Sequence, residues 1–181
     1  MRKIVLVEPE EPENTGFIAR LCSNFDFQLR LVNPEFNLEE ARKTANNAQG
    51  KLREAEIFET VEEAIKDLEY VVGTKPDKGS ELSNFTFREN TSIMLGRESS
   101  GLTNQELELC DATIHIKADY KSLNLSHAAS IMMYQSQIKR EGLASSERFA
   151  ELENRCGEKE IELIKRASPN KKELDKLLGE L

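Results

Sequence analysis

Three groups of residues stand out because each lies at a junction between an aliphatic, strand-like run and a helical pattern. They are Asn14 and Arg20 in "PENTGFIAR", Gly96, Glu98 and Gly101 in "LGRESSGLTNQEL", and Ser122, Asn124 and Ser126 in "KSLNLSHAAS". A helix start needs one capping side chain, so three polar residues at the last junction exceed what capping requires. The free N–H groups of a first helical turn bind anions, and a glycine there admits a ligand close to the backbone. These residue types therefore suit the binding of a polar or charged ligand.

Each group also has a plain structural interpretation. Asn14 is a natural helix N-cap, with Arg20 nearly two turns further along as an ordinary surface residue. The loop between Gly96 and Gly101 can be a surface loop, because the chain contains neither GxGxxG nor GxxxxGK[ST] spacing. One serine of the third group, with Ser126 the best candidate, can simply cap the following helix. The local patterns leave both interpretations open.

The elements that must position these residues alternate between strand and helix patterns. Strand-like runs cover 3–9, 28–33, 70–74, 92–96 and 113–117, and helical patterns cover 13–25, 37–45, 61–68, 102–110 and 125–140. This βαβα order predicts an α/β fold with a mostly parallel sheet, and such sheets bind ligands at the carboxyl ends of their strands. We expect the loops after "LVEP", "VVGT", "IMLG" and "IHIK" to form the site.

Length and composition narrow the class of protein. The 181 residues, 38% hydrophobic and 32% charged, predict a soluble globular protein with no membrane span. Cys22, Cys110 and Cys156 are far apart, and His115 and His127 are the only histidines. This predicts free thiols, no metal site and a cytoplasmic location. The short apolar run at the N-terminus, followed by acids, indicates a first strand rather than a signal peptide.

The chain is expected to divide into a core domain at 1–140 and a helical C-terminal extension at 141–181. The extension is charged and helical in pattern, and Ser168 followed by Pro169 is typical of a helix start. Packing or dimer contacts would explain it, and contact with RNA is the alternative. The net charge of −8 argues against broad, nonspecific binding to nucleic acid and leaves room for a local basic patch.

Taken in order, the three polar groups resemble the motifs of the SPOUT superfamily of RNA methyltransferases. Asn14, Gly16 and Arg20 match N-x-G-x-x-x-R; Leu95, Gly96, Glu98, Gly101 and Leu102 match hydrophobic-G-x-E-x-x-G-L; Ser122, Leu123, Asn124, Ser126 and Ala128 match S-L-N-x-S-x-A. The resemblance covers about residues 1–140. It is strongest to the ribose 2′-O-methyltransferases that act on tRNA, and "GRESSGLTNQELELCD" looks most like the type that modifies position 32 in the anticodon loop.

The resemblance implies a parallel-sheet fold with a C-terminal trefoil knot, followed here by the short helical tail. It implies S-adenosylmethionine as the methyl donor, tRNA as a partner and a homodimer in which Arg20 of one subunit faces the cofactor of the other. Methyl transfer to a ribose hydroxyl is an in-line displacement that requires alignment and the removal of one proton. Such a reaction requires no metal.

The resemblance also assigns roles to individual residues. Four are expected to do the catalytic work: Arg20, Asn14, Ser122 and Asn124. Seven are expected to contact the cofactor: Thr74, Leu95, Gly96, Glu98, Gly101, Ile116 and Leu125. A basic strip for RNA is expected near the helix of Arg20, formed by Arg30, Arg42, Lys43, Lys51 and Arg53, while Arg88, Arg97, Lys117 and Lys121 flank the site. Solvated surface is the alternative for these basic residues.

The function implied is 2′-O-methylation of tRNA, at cytidine or uridine 32. One alternative is the same chemistry on ribosomal RNA. A second is a knotted RNA-binding protein that has lost catalysis, against which the presence of both Asn14 and Arg20 argues. A third is a generic nucleotide-binding α/β domain, which the missing phosphate-loop spacings disfavour.

Overall fold

The computed structural model describes residues 2–45, 48–120 and 123–138, together with isolated positions 156–157, 164, 176 and 178–179. Ser122 and most of the predicted extension at 141–181 lie outside the described residues. In the part of the chain that is described, no helix is long and apolar enough to cross a membrane.

Strands and helices alternate along the described chain. The strands are β1 (Lys3–Val7), β2 (Gln28–Val32), β3 (Glu56–Phe58), β4 (Tyr70–Thr74), β5 (Ser80–Glu81), β6 (Thr91–Leu95) and β7 (Ala112–His115). The helices are α1 (Pro12–Phe25), α2 (Leu38–Ala45), α3 (Gln49–Arg53), α4 (Val61–Ile65), α5 (Asn104–Glu108) and α6 (Leu125–Gln135), with a 3₁₀ turn at Leu82–Asn84. The described strands form one sheet in the order β3-β2-β1-β6-β4-β7-β5, and every pair is parallel. The predicted α/β class with a parallel sheet is confirmed.

The central strands are covered on both faces. Along β1, Ile4 and Leu6 belong to one buried cluster, whereas Val5 and Val7 belong to a second cluster. Alternate side chains of a strand point to opposite faces, so the two clusters lie on the two sides of the sheet. Every residue of β4 and β6 is buried. This double covering explains why the apolar residues of these strands are consecutive, at 70–72 and 93–95, instead of alternating with polar ones.

Helices α1 and α6 pack against each other on one side of the sheet. Arg2, just before β1, fixes their ends: its guanidinium donates to the carbonyl oxygens of Phe25 at 3.0 Å and Ser136 at 3.4 Å. The same guanidinium lies 4.6 Å from the centre of the Phe27 ring. Cations are favourable at helix C-terminal ends. Arg2 therefore holds α1 and α6 in a defined position relative to the first strand.

Arg30 does not belong to a surface strip, so that part of the sequence-based prediction is wrong. Its side chain on β2 is only 3% exposed. Its guanidinium donates to both oxygens of Asp67, at 2.6 and 2.9 Å, and to Glu56 at 2.6 Å. A further hydrogen bond reaches the carbonyl of Ala64 at 2.7 Å. Arg30 is a structural residue that ties β2 to β3 and to the turn after α4.

The Arg30–Asp67 pair should give the protein a measurable acid sensitivity. Hydrogen bonds from Arg30 lower the pKa of Asp67 to about 2. Because this pKa lies below that of the unfolded chain, the carboxylate stabilises the fold at neutral pH, and this contribution declines below about pH 4 as the folded pKa is approached. The side chain of Asp67 is 56% exposed, so solvent screening limits the contribution to about 1 kcal/mol or less.

We therefore expect Asp67→Asn to lower the free energy of unfolding slightly at pH 7. It should also flatten the loss of stability between pH 5 and pH 2, as measured by urea denaturation. Asp119→Asn, which changes an exposed acid, is the matched control and should keep the wild-type slope. Parallel pH curves for wild type and Asp67→Asn would contradict the prediction.

Candidate active site

Four loops meet at the carboxyl edge of the sheet, because β1, β6, β4 and β7 are neighbours there. Between the last three of these loops and α6 lies a cavity of about 310 Å³, a size within the range of small-molecule sites. All seven residues that the sequence predicts as cofactor contacts line it: Thr74, Leu95, Gly96, Glu98, Gly101, Ile116 and Leu125. The structure therefore brings this predicted set together in one place.

The loop at 96–101 is closed tightly on itself. The N–H of Gly101 donates to the carbonyl of Arg97 at 2.9 Å, and Gly101 has a φ of +68°, which favours glycine. A Cβ on Gly96 would lie 2.2 Å from the carbonyl carbon of Gly101. Both glycines are thus required by the backbone, which leaves a narrow loop along one wall of the cavity.

Arg97 serves this loop and is not free to bind RNA by itself. Its guanidinium donates to Glu8 at 2.6 Å and to both oxygens of Glu106, at 3.0 and 3.1 Å. The hydrogen bonds with Glu106, followed by those with Glu8, raise the pKa of Arg97. Thr103 caps α5 in a capping box with Glu106, as its sequence position predicts. The same glutamate therefore fixes both the helix start and the loop arginine.

Two carboxylates tie the segment after β1 to the loop at 96–101. Glu98 accepts hydrogen bonds from the backbone N–H groups of Glu10 at 2.8 Å and Glu11 at 3.4 Å. In return, Glu10 accepts from the N–H of Ser99 at 2.9 Å and from its hydroxyl at 2.6 Å. The bond from the Ser99 hydroxyl, and then that from its N–H, lower the pKa of Glu10. The two segments thus hold each other in place.

Asn14 joins all three motif regions. It is 3% exposed, and its amide nitrogen donates to Glu11 at 2.9 Å and Glu98 at 3.0 Å. Its amide oxygen accepts from the side chain of Asn124 at 2.9 Å. The interpretation of Asn14 as an N-cap is wrong, because α1 already begins at Pro12, whose missing N–H suits the first helical position. Asn14 lies inside the first turn and faces the neighbouring loops.

Asn124, and not Ser126, caps α6. The side-chain oxygen of Asn124 accepts from the N–H groups of Ser126 at 2.9 Å and His127 at 3.3 Å. The hydroxyl of Ser126 donates to the same oxygen at 2.7 Å, so Ser126 supports the cap instead of providing it. Asn124 thereby starts the helix with its oxygen and reaches Asn14 with its nitrogen. Ser122, the other predicted catalytic residue of this motif, lies outside the described residues.

Arg20 stands apart from this network. It is exposed on α1, about 9 Å further along the helix axis than Asn14. It does not line the cavity, and no described residue forms a salt bridge or hydrogen bond with its guanidinium. The exposed face of α1 also carries Phe17, and the adjoining exposed face of α6 carries Ile131 and Tyr134. Arg20 thus lies on an outer surface with apolar surroundings.

Sequence reasoning missed several residues that shape the site. Glu10, Glu11 and Ser99 form the connection between loops, and Lys75 lines the cavity directly after β4. A signal was present, because these residues lie in the loops after "LVEP", "IMLG" and "VVGT" that the strand pattern predicts as the site. Their partners could not be read from local spacing. As a whole, the arrangement offers a partly enclosed cavity with glycine-bounded backbone and a carboxylate on its wall.

Comparison with known proteins identifies relatives that match most of the chain. The tRNA (cytidine-2′-O-)-methyltransferase TrmJ of Methanocaldococcus jannaschii is 33% identical over 158 residues, which cover 77% of this chain and 69% of that protein. The tRNA (cytidine/uridine/adenosine-2′-O-)-methyltransferase TrmJ of Pseudomonas aeruginosa is 32% identical over 154 residues, covering 75% of this chain and 60% of that protein. The chain thus spans only about two thirds of the length of these relatives.

Solved structures show the same fold. The crystal structure of TrmJ from Z. mobilis ZM4 superimposes with a TM-score of 0.65 at 27% identity, over 99% of this chain and 96% of that one. The methyltransferase AviRb of Streptomyces viridochromogenes, solved in complex with the cofactor AdoMet, shares the fold with a TM-score of 0.65 at 22% identity, over 74% of this chain and 56% of that one. The model of the SpoU rRNA Methylase family matches residues 1–134, the part of the chain that contains all three motifs. The protein therefore belongs to the SpoU methylase family, a membership that agrees with the resemblance of its motifs.

Proposed function

We propose that this protein transfers the methyl group of S-adenosylmethionine to a ribose 2′-oxygen of tRNA. The observation that carries the proposal is the hydrogen-bonded connection Glu98–Asn14–Asn124, with Asn14 at its centre, which joins all three motif regions beside one cavity. The relatives named as tRNA 2′-O-methyltransferases support the same reaction class and substrate. The names of these relatives differ in the modified nucleoside: one names cytidine, and the other names cytidine, uridine and adenosine. Position 32 and a pyrimidine preference therefore stay predictions.

The residues present fit S-adenosylmethionine. A side chain at Gly96 would collide with the backbone of Gly101, so the two glycines let the loop close on itself and present its peptide groups along the wall of the cavity. Backbone groups of Leu95, Gly96 and Ile116 are suited to an adenosine, and the apolar side chains of Leu125 and Met132 are suited to its flat face. When bound, the cofactor supplies an electrophilic methyl group on a sulfonium.

Arg20 is the residue that we assign to the reacting ribose. A guanidinium stays protonated at any ordinary pH, so Arg20 cannot serve well as a general base. It can form a bidentate hydrogen-bonded contact with a phosphate of the RNA and stabilise the 2′-oxygen as that oxygen loses its proton. The proton then leaves to phosphate or water. Asn14 is fully hydrogen-bonded within the protein, which supports a role in orienting α1, and hence Arg20, over direct contact with RNA.

A homodimer would bring Arg20 to a cavity. Five exposed apolar side chains lie on the packed helices α1 and α6 and their flanks, and we call them the stripe: Phe17, Leu123, Ile131, Tyr134 and Ile138. Exposed apolar patches are typical of interfaces, so we assign the stripe to contact with a second copy. Arg20 lies beside the stripe on α1, so a second copy packed there would receive it near its own site. The trefoil knot, the division at residue 140 and a cytoplasmic location belong to the same proposal.

The proposal is tested by incubating the protein with methyl-labelled S-adenosylmethionine and unmodified tRNA, followed by mapping of the labelled nucleotide. We expect label on the ribose of nucleotide 32, and none when that nucleotide already carries a 2′-O-methyl group. Purified ribosomal RNA is the parallel substrate. Label in ribosomal RNA alone would favour the ribosomal alternative, and RNA binding without label in either RNA would favour an inactive binding protein.

A further inference from the structure

Among the described residues, two side chains of the lysine or arginine type line the cavity, and their surroundings differ. The guanidinium of Arg97 is occupied by the carboxylates of Glu8 and Glu106. The ammonium of Lys75 donates to the carbonyl oxygen of Leu102 at 2.5 Å, and no carboxylate among the described residues forms a salt bridge with it. An ammonium has three N–H donors, so Lys75 keeps donors for which the described residues provide no partner.

The position of Lys75 follows from the sheet order. It comes directly after β4, and its bond to Leu102 reaches the end of the loop that follows β6, the neighbouring strand. Thr74 and Gly101, next to the two ends of this bond, both line the cavity. Lys75 lines the cavity and is half-buried, so the residue does not lie on fully open surface. Glu98 adds a negative charge to the same cavity.

We propose that Lys75 binds the α-carboxylate of the amino-acid portion of S-adenosylmethionine. The site would then bind a nucleoside with an attached amino acid more tightly than a nucleoside without one. This inference rests on the proposed function. A carboxylate taken from water into a partly enclosed site needs a strong donor, and a hydrogen bond between two charged groups is about twice as strong as a neutral one. Among the lysine and arginine side chains that line the described cavity, only Lys75 lacks a carboxylate partner.

The competing explanation is that Lys75 merely holds two loops together through Leu102. The two roles separate when two ligands are compared. S-adenosylhomocysteine carries the amino-acid portion, whereas 5′-methylthioadenosine has the same adenosine and lacks that portion. A loss of loop geometry weakens the binding of both ligands. A loss of the carboxylate contact weakens only the binding of S-adenosylhomocysteine.

The experiment measures the Kd of both ligands by calorimetry for wild type, Lys75→Met and Lys75→Arg. For Lys75→Met we expect the Kd of S-adenosylhomocysteine to rise about tenfold and that of 5′-methylthioadenosine to stay within about twofold. Lys75→Arg keeps the charge and should preserve most of the preference. Lys78→Met is the matched control, because Lys78 lies in the same loop, donates to Asn104 and does not line the cavity.

An equal loss for both ligands, or no loss for either, would overturn the inference. If Lys75→Met fails to fold, wild type with decarboxylated S-adenosylhomocysteine replaces it. The decarboxylated ligand should then bind about tenfold more weakly than the parent compound, and equal affinities would overturn the assignment. Failure of wild type to bind S-adenosylhomocysteine at all would contradict the proposed function itself, which keeps the two failures distinguishable.

Discussion

Replacing Arg20 with lysine is expected to slow methyl transfer to tRNA by about a hundredfold or more, while the Kd for S-adenosylmethionine stays unchanged. A lysine keeps the charge and loses the planar pair of donors that a phosphate or a developing oxyanion requires. Arg20 does not line the cavity, so cofactor binding within one subunit has no reason to change. Single-turnover transfer of labelled methyl groups measures the rate, and calorimetry measures the Kd.

Arg53→Lys provides the matched control for this experiment. Arg53 is an exposed arginine at the end of α3, and α3 packs against α1. The control makes the same chemical change on the same side of the protein. A contact of Arg53 with RNA in the predicted basic strip would need its charge, which lysine keeps, so the rate should stay within about twofold of wild type. Near-normal turnover for Arg20→Lys would rule out both the positioning role and the charge-stabilising role that we propose for Arg20.

Asn14→Asp is expected to cause the largest loss of stability among the changes considered, about 3 kcal/mol at pH 7.5. The change keeps the size of the side chain and replaces the amide nitrogen, which donates to Glu11 and Glu98, with an oxygen that cannot donate. Three carboxylates would then meet, of which the one at position 14 is buried, that of Glu98 is half-buried and that of Glu11 is exposed. The same change should weaken cofactor binding, because Glu98 lines the cavity.

The pH dependence identifies the cause of this loss. Neighbouring carboxylates disfavour the charged form, so the pKa of the introduced carboxyl should lie above its ordinary value of about 4. A raised folded pKa means that the protonated form is favoured in the folded state, so the destabilisation should shrink as pH falls from 7.5 towards 5. Urea denaturation at several pH values measures this. Asn84→Asp, at an exposed position, is the control and should show no such recovery of stability at low pH. If the loss of unfolding free energy caused by Asn14→Asp does not change with pH, the electrostatic explanation is wrong.

Much of the fold can be predicted from the sequence because the central elements are strongly patterned. The strand at 70–74 is found where it was predicted, and α1 begins one residue before its predicted start. Buried parallel strands have a recognisable apolar composition, and their ends locate the ligand site. The strands β3 and β5 were not predicted, because three and two residues are too few to show a period. The helix α3 was not predicted because its only buried residue is Leu52, so it shows no apolar face.

The errors have a common physical origin in partners that are distant along the chain. Asn14 has the local pattern of a cap, but its amide is directed by Glu98, which lies 84 residues away. Arg30 has the local pattern of a surface charge, but Asp67 lies 37 residues away and allows it to be buried. Side-chain hydrogen bonds between distant residues leave no periodic trace. The motifs locate the residues of the site, and only the structure shows which of them touch.

The bond between Asn14 and Asn124 has a consequence for how the protein is made. It joins residues 110 positions apart, and contacts of such long sequence separation are slow to form. Synthesis proceeds from the N-terminus, so α1 leaves the ribosome long before its partner at the start of α6. A nascent chain that ends before residue 124 therefore has one wall of the site missing. A ligand that binds only the completed fold can stabilise the finished protein, but it cannot assist the early steps of folding.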